Sequence, residues 1–228
     1  MLLHSSSVML ALKQGLSLSS TKILGAWSPE QEASLVAWYQ YQTGITLNGS
    51  DVSEWADYTG VYDMVQAIAI KQPAYSSGTL TFDSADTQFL QTTGQITLAG
   101  DFTIGFRVEV TGTLLGTVLG DNTTSNEFMR FNGASSFRVN IDGTAQNFVI
   151  TSAGDNYYVL TRSGTTVTLH QNGTATSPTR TFSGTADIDT IGDSNSSASF
   201  NGTMKEIQIY SSTSAALTAN VNSRLAGL

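Results

Sequence analysis

The run Thr166-Val167-Thr168-Leu169-His170, followed by Gln171 and then Asn172-Gly173, decides how the chain is read. Its alternation puts Val167 and Leu169 on one face and Thr168 and His170 on the other, and β-branched residues suit such a pleated, half-buried position. Asn-Gly then supplies two residues that tolerate positive φ, as a tight hairpin turn requires. Working outward, similar short runs recur between turns: Leu35 to Tyr41, Thr79 to Phe82, Phe102 to Val110, Thr113 to Leu119, Glu127 to Asn132, Phe137 to Ile141, Asn147 to Thr151, Tyr157 to Ser163, Ile188 to Ile191 and Met204 to Tyr210. Asn132-Gly133, Asp142-Gly143 and Asn201-Gly202 repeat the turn chemistry. Many short strands at this spacing predict an antiparallel sandwich or barrel, not a βαβ sheet.

One helix is expected, near the C-terminus, where Leu217, Val221 and Leu225 share a face, Ser214 can cap the start and Gly227 lies near the end. Ser28-Pro29-Glu30 reads as a helical first turn with Pro at its first position. No linker interrupts the rest, so residues 34–228 are read as one domain and residues 1–33 as an N-terminal arm. The arm has no basic leader region and its apolar run is broken by His4 and three serines, which argues against a signal peptide. It is expected to dock, on its own domain or on a neighbour. No run approaches the roughly 20 apolar residues that a membrane-spanning helix needs.

The 228 residues include no cysteine, so there is no disulfide framework, thiolate nucleophile or zinc–thiolate site. Ten Lys and Arg against 18 Asp and Glu give a formal charge of −8, which excludes the clustered cations of a nucleic-acid footprint. The excess is local: Asp51, Glu54, Asp57, Asp63, Asp83, Asp86, Asp101, Glu109, Asp121 and Glu127 face only Lys71 and Arg107 within the stretch 46–127. That stretch is expected to form one acidic region on an otherwise neutral, Ser- and Thr-rich surface.

The order of segments resembles the concanavalin A-like (laminin G-like) jelly-roll family. The resemblance is carried by Leu35-Val36-Ala37-Trp38-Tyr39, Val52 to Gly60 with its Trp55-Ala56-Asp57 core, Leu80 to Asp83, Asp101 to Ile104, Tyr158 to Gly164, and Phe200-Asn201-Gly202 leading into Met204 to Tyr210. It implies an all-β fold: a two-sheet antiparallel jelly-roll β-sandwich with an N-terminal arm and a short C-terminal helix. The layout is also similar to that of virion structural proteins of tailed bacteriophages. This implies a homo-oligomeric capsid decoration or tail-fibre component, anchored on other virion proteins through its arm, displaying a lectin-like adhesion domain to a host-surface glycan, with neither nucleic acid nor membrane as partner. The alternative is an extracellular carbohydrate-binding module of a secreted protein, with a divergent glycoside hydrolase as the residual reading.

Hydrolytic relatives carry carboxylates at alternate positions of one strand, so that they converge on one cleft. Glu109 stands alone, and Glu206 is followed by Ile207-Gln208-Ile209 and reads as a strand-edge surface charge beside Lys205. His170 reads as an exposed strand residue without a nucleophile, and no catalytic residue is assigned. A lectin needs an aromatic platform and planar polar partners; the candidates are Trp55, Asp57, Tyr58 and Tyr62 on one loop, with Asn122 and Asn126 on another. Trp55 has a competing reading as a plug at the end of the sandwich, and Trp38 reads as core. No cofactor is required; calcium is the one ion the resemblance allows, with Asp121, Asp187, Asp189 and Asp193 as weak oxygen-ligand candidates. The N-x-S/T sequons at Asn48, Asn122, Asn172, Asn195 and Asn201 read as turns.

Overall fold

The computed structural model describes residues 27–111, 115–122, 127–151, 154–194 and 198–228. Most of the predicted arm, Asn126 and the Asn195 sequon lie outside these residues. The first half contains β1 (Leu35–Tyr39), β2 (Ile45–Asn48), β3 (Asp51–Trp55), β4 (Met64–Val65), β5 (Ala74–Ser76), β6 (Thr79–Phe82), β7 (Leu90–Leu98) and β8 (Phe102–Val110). There follow β9 (Leu115–Gly120), β10 (Phe128–Asn132), β11 (Ser136–Ile141), β12 (Thr144–Val149), β13 (Asn156–Ser163) and β14 (Thr166–Gln171). Two short strands, β15 (Thr174–Ala175) and β16 (Arg180–Thr181), precede β17 (Ala186–Ile191), β18 (Gly202–Tyr210) and the helix α1 (Ala215–Ala226).

Antiparallel pairing sorts these strands into the two layers of a β-sandwich. One layer runs β1–β18–β8–β13–β14, with β6 beside the first half of β18. The other runs β3–β4–β7–β17–β9–β10–β11–β12. β5 joins them at one edge by pairing with both β6 and β3. Alternate residues of each strand fill the space between: Phe102, Ile104, Phe106 and Val108 from β8, Tyr158 and Leu160 from β13, and Met129, Phe131, Phe137 and Val139 from β10 and β11. Burying each such side chain contributes about 1.5–3 kcal/mol.

The Asn172-Gly173 turn forms as expected, with φ of 51° and 80°. Asn201-Gly202 does not make a hairpin turn. Gly202 is the first residue of β18, and a Cβ there would lie 2.0 Å from the Glu109 carbonyl oxygen, so glycine is needed for strand approach. The helical turn expected at Ser28-Pro29-Glu30 forms as a short 3₁₀ helix, Pro29–Gln31. Strands β2 to β5, β7, β15 and β16 were not anticipated. In β7 the alternation is broken by a bulge, since two steps along β17 from Ile188 to Thr190 span five along β7 from Ile96 to Gln91.

α1 is capped by the Ser214 hydroxyl, which accepts from the Leu217 N–H at 3.0 Å. Its Leu217, Val221 and Leu225 face Val159 and Tyr210 on the outer surface of the first layer. Gly105 makes the seat: a Cβ there would lie 2.4 Å from Val221 Cγ1. At the other end Arg107 donates to the Leu225 carbonyl and Lys205 to that of Leu228, cations placed at the negative pole of the helix. The second layer keeps its outer surface free of any helix among the described residues, and this difference positions the site.

Candidate functional site

The loop expected to bind ligand is built mainly for its own stability. Trp55 is fully buried against Tyr39, with its indole N–H donating to the Gln40 carbonyl. Asp57, 4% exposed, accepts the Trp38 N–H at 2.7 Å on one carboxylate oxygen, and the Thr59 hydroxyl and the Val61 and Tyr62 N–H groups on the other. Its own N–H donates to Asp63. The carboxylate thus satisfies backbone donors that would otherwise be orphaned inside a tight loop. Trp55 and Asp57 are therefore corrected from ligand candidates to loop and core residues, while the plug reading of Trp55 matches its position. Tyr62 is half-buried, its carbonyl accepting the Tyr39 hydroxyl. Tyr58 alone of the four is exposed, its ring lying 5.2 Å from that of Trp38.

The candidate metal ligands do not converge. Among the described residues no group of three or more His, Cys, Asp or Glu is placed to hold a metal ion. Asp189 accepts the Asn122 N–H and the Gln91 amide, Asp121 accepts the Gln95 amide, and Asp193 accepts the Ser199 hydroxyl. All three carboxylates are buried, and they tie loops together around the β7 bulge. Asn122, half-buried, joins this network through its backbone. The acidic stretch is accordingly not one surface region, because Asp57, Asp121 and Glu127 are buried while Asp83, Asp86, Asp101 and Glu109 are exposed.

Glu206 departs furthest from expectation. It is fully buried, not a surface charge, because α1 brings Arg224 across it: Nε and Nη2 of Arg224 donate to the two carboxylate oxygens. Gln208 donates to the same carboxylate at 2.7 Å and the Tyr210 hydroxyl donates to Gln208 at 2.7 Å. The Arg224 guanidinium also lies 4.7 Å from the Trp38 ring centre, so Trp38 is buried on the outer surface of the first layer and not between the sheets. His170, expected to be exposed, is half-buried in a cleft of about 490 Å³ beside the start of α1, and burial pushes its imidazole below the ordinary value.

The place where recognition chemistry is concentrated lies elsewhere, on the outer surface of β10 and β11, bordered by the buried β9. Since Met129, Phe131, Phe137 and Val139 point into the core, the intervening residues face outward. Register fixes them in rows: Gly120, Phe128, Asn140 and Ala145 in one, and Thr117, Arg130, Arg138 and Asn147 in the next. The two guanidinium carbons lie 4.1 Å (Arg130) and 6.0 Å (Arg138) from the centre of the half-buried Phe128 ring. Among the described residues, Thr117 Oγ1, Arg130 Nε, Arg138 Nε and Asn140 Oδ1 are buried without a hydrogen-bond partner. Half of the described residues' atoms of this kind would not gather on one sheet surface without cost, since each leaves a desolvated polar group unpaid.

Glu127 closes that end of the surface. Its buried carboxylate accepts the backbone N–H groups of Asp142 and Asp187, so it staples β17 to the β11–β12 turn. Burial pushes its carboxyl above the ordinary glutamate value, although the two backbone donors pull the other way. Gly120, opposite Phe128, leaves room for the Asp193-Ser194 segment; a Cβ there would lie 2.5 Å from the Asp193 carbonyl oxygen. The result is a half-buried aromatic ring with two guanidinium groups beside it and the Asn140 amide opposite it across the β10–β11 pair.

No family model and no curated protein sequence matches the chain. Solved structures do match in fold. The Trypanosoma rangeli sialidase aligns over 96% of this chain with a TM-score of 0.59 at 13% identity, and this chain spans 38% of the sialidase's length. Domain 4 of AbnA, an extracellular arabinanase of Geobacillus stearothermophilus solved with arabinotriose, aligns over 84% of this chain and 98% of that domain, with a TM-score of 0.55 at 16% identity. At these identities the likeness is one of fold: an antiparallel β-sandwich.

The sequence contains a signal for this surface. Phe128, Arg130 and Asn132 share one parity, as do Ser136, Arg138 and Asn140, on either side of Asn132-Gly133. Attention to loops passes over a strand face of this kind.

Proposed function

We propose that this chain is a non-catalytic, glycan-binding β-sandwich module whose ligand surface is the outer face of β10 and β11. One observation carries the reading: Arg130, Arg138 and Asn140, each with an unpartnered polar atom, flank the half-buried Phe128 ring on a strand surface. Amide and guanidinium groups are suited to sugar hydroxyls, and a rigid aromatic edge suits the apolar part of a pyranose. The sandwich fold shared with a domain crystallised with arabinotriose is compatible with this use, although fold by itself does not set function. The non-catalytic part rests on the carboxylates: Glu109 is exposed and alone on its strand, and Glu206 is consumed by Arg224.

The setting proposed with it is display on a tailed-bacteriophage particle for host adhesion, which rests on the order of segments in the sequence. Its separate test is whether a chain lacking the residues before Pro29 still enters particles; undiminished incorporation contradicts anchoring through the arm. The binding reading is tested on a glycan array with the full chain and Phe128→Ala. Phe128 is only half-buried, so the variant should keep its thermal transition and lose binding by tenfold or more. Equal binding by both proteins contradicts the assignment of this surface.

A further inference from the structure

Arg130 and Arg138 pose an electrostatic problem. They are directly opposed across the β10–β11 pair, where like charges destabilise a sheet. The chain carries 18 acids, yet the ion pairs of the described residues are Arg107 and Lys205 with Asp155, and Arg224 with Glu206. Among the described residues no carboxylate forms an ion pair with either of the two opposed guanidinium groups. Arg130 is pushed below its ordinary pKa, first by burial and then by the charge of Arg138. Phe128 holds both groups, which reduces the side-chain entropy that a ligand would otherwise have to overcome.

Resting on the proposed glycan surface, we infer that its ligand is an acidic saccharide whose carboxylate is received between Arg130 and Arg138. Guanidinium groups present N–H donors in a planar fork that matches a carboxylate, and one anion between two cations relieves their repulsion. The row beside them suits the rest of the ring: Asn140 Oδ1 is an acceptor for a sugar hydroxyl. Donors for the anion and the Asn140 acceptor thus lie in successive rows, with outward residues of successive rows about 7 Å apart along a strand. Glu127 does not compete for the arginines, since its oxygens accept the Asp142 and Asp187 N–H groups.

The test is calorimetric titration of the full chain with trigalacturonate and with the neutral trigalactose, repeated for Arg130→Gln/Arg138→Gln and for Phe128→Ala. Removing two opposed cations should leave the thermal transition in place or raise it, so loss of binding is not loss of fold. The expected result is binding of trigalacturonate at least tenfold tighter than of the neutral sugar, weakened by added salt and reduced at least a hundredfold in the double variant. Equal binding of the two sugars, unchanged in the double variant but lost in Phe128→Ala, overturns the acidic-saccharide inference and leaves the glycan surface standing. Binding of neither, at millimolar concentration, overturns both. Displacement of trigalacturonate by acetate as effectively as by monomeric galacturonate overturns the saccharide part, because a bare anion would then suffice.

Discussion

Arg130 and Arg138 stand directly opposite one another on β10 and β11, with both guanidinium groups gathered around the ring of Phe128. Such a pair costs stability in the free protein, by about 0.2–1 kcal/mol for like charges in register. Arg138→Gln should therefore raise the unfolding free energy by roughly 0.5 kcal/mol in urea while weakening ligand binding. A variant less stable than the wild type would mean that the guanidinium supports the fold.

The Glu206–Arg224 pair should behave in the opposite way. Glu206 has no exposure, and removing its partner leaves a buried charge uncompensated. Arg224→Ala should cost about 3 kcal/mol, and the further change Glu206→Gln should restore part of that loss. Denaturant unfolding of the two single variants and the double variant checks this; additive losses would show that the pair is not coupled.

These two arginine sites mark what the sequence does and does not reveal. Val167, Leu169 and Asn172-Gly173 are legible because alternation and positive φ are local properties. β7 is not, because its bulge breaks the alternation between Gln91 and Ile96. Glu206 resembles any exposed strand carboxylate until α1, 18 positions further on, lays Arg224 over it. For the ligand surface, the parity of Phe128, Arg130, Arg138 and Asn140 is visible, but pairing Arg130 with Arg138 requires the register across the Asn132-Gly133 turn. Trp55 drew attention as the largest aromatic on a polar loop, and its size is the reason it fills the core.

The seat of α1 gives a steric prediction. With Val221 Cγ1 2.4 Å from the position of an added Cβ, Gly105→Ala should force the helix outward and destabilise the chain by about 1–3 kcal/mol. Adding Val221→Ala should recover part of the loss, since it removes the atom that is struck. Thermal melts of the three variants decide it, and no recovery would mean that strand β8 itself is perturbed.

Glu127 sets a pH dependence. Its carboxyl is raised by burial, so the folded chain holds that proton more tightly than the unfolded chain does. Its contribution to stability is thus fullest below the ordinary glutamate range and is lost as pH rises from that range through the raised value, beyond which it stays constant. Urea unfolding between about pH 4 and pH 7 should show this decline in the wild type, and Glu127→Gln should lack it. Asp155 acts in a separate window with opposite sign: its hydrogen bond to Arg107 lowers its carboxyl, and that contribution is lost only as pH falls below the ordinary aspartate range.

The most direct measurement is a titration of the isotopically labelled full chain with trigalacturonate, followed by amide chemical shifts. Binding at the proposed surface predicts saturable changes at residues 117–120, 128–132 and 136–140, with residues 55–62 unmoved. Changes centred on Tyr58 and Tyr62, with β10 and β11 silent, would contradict the account.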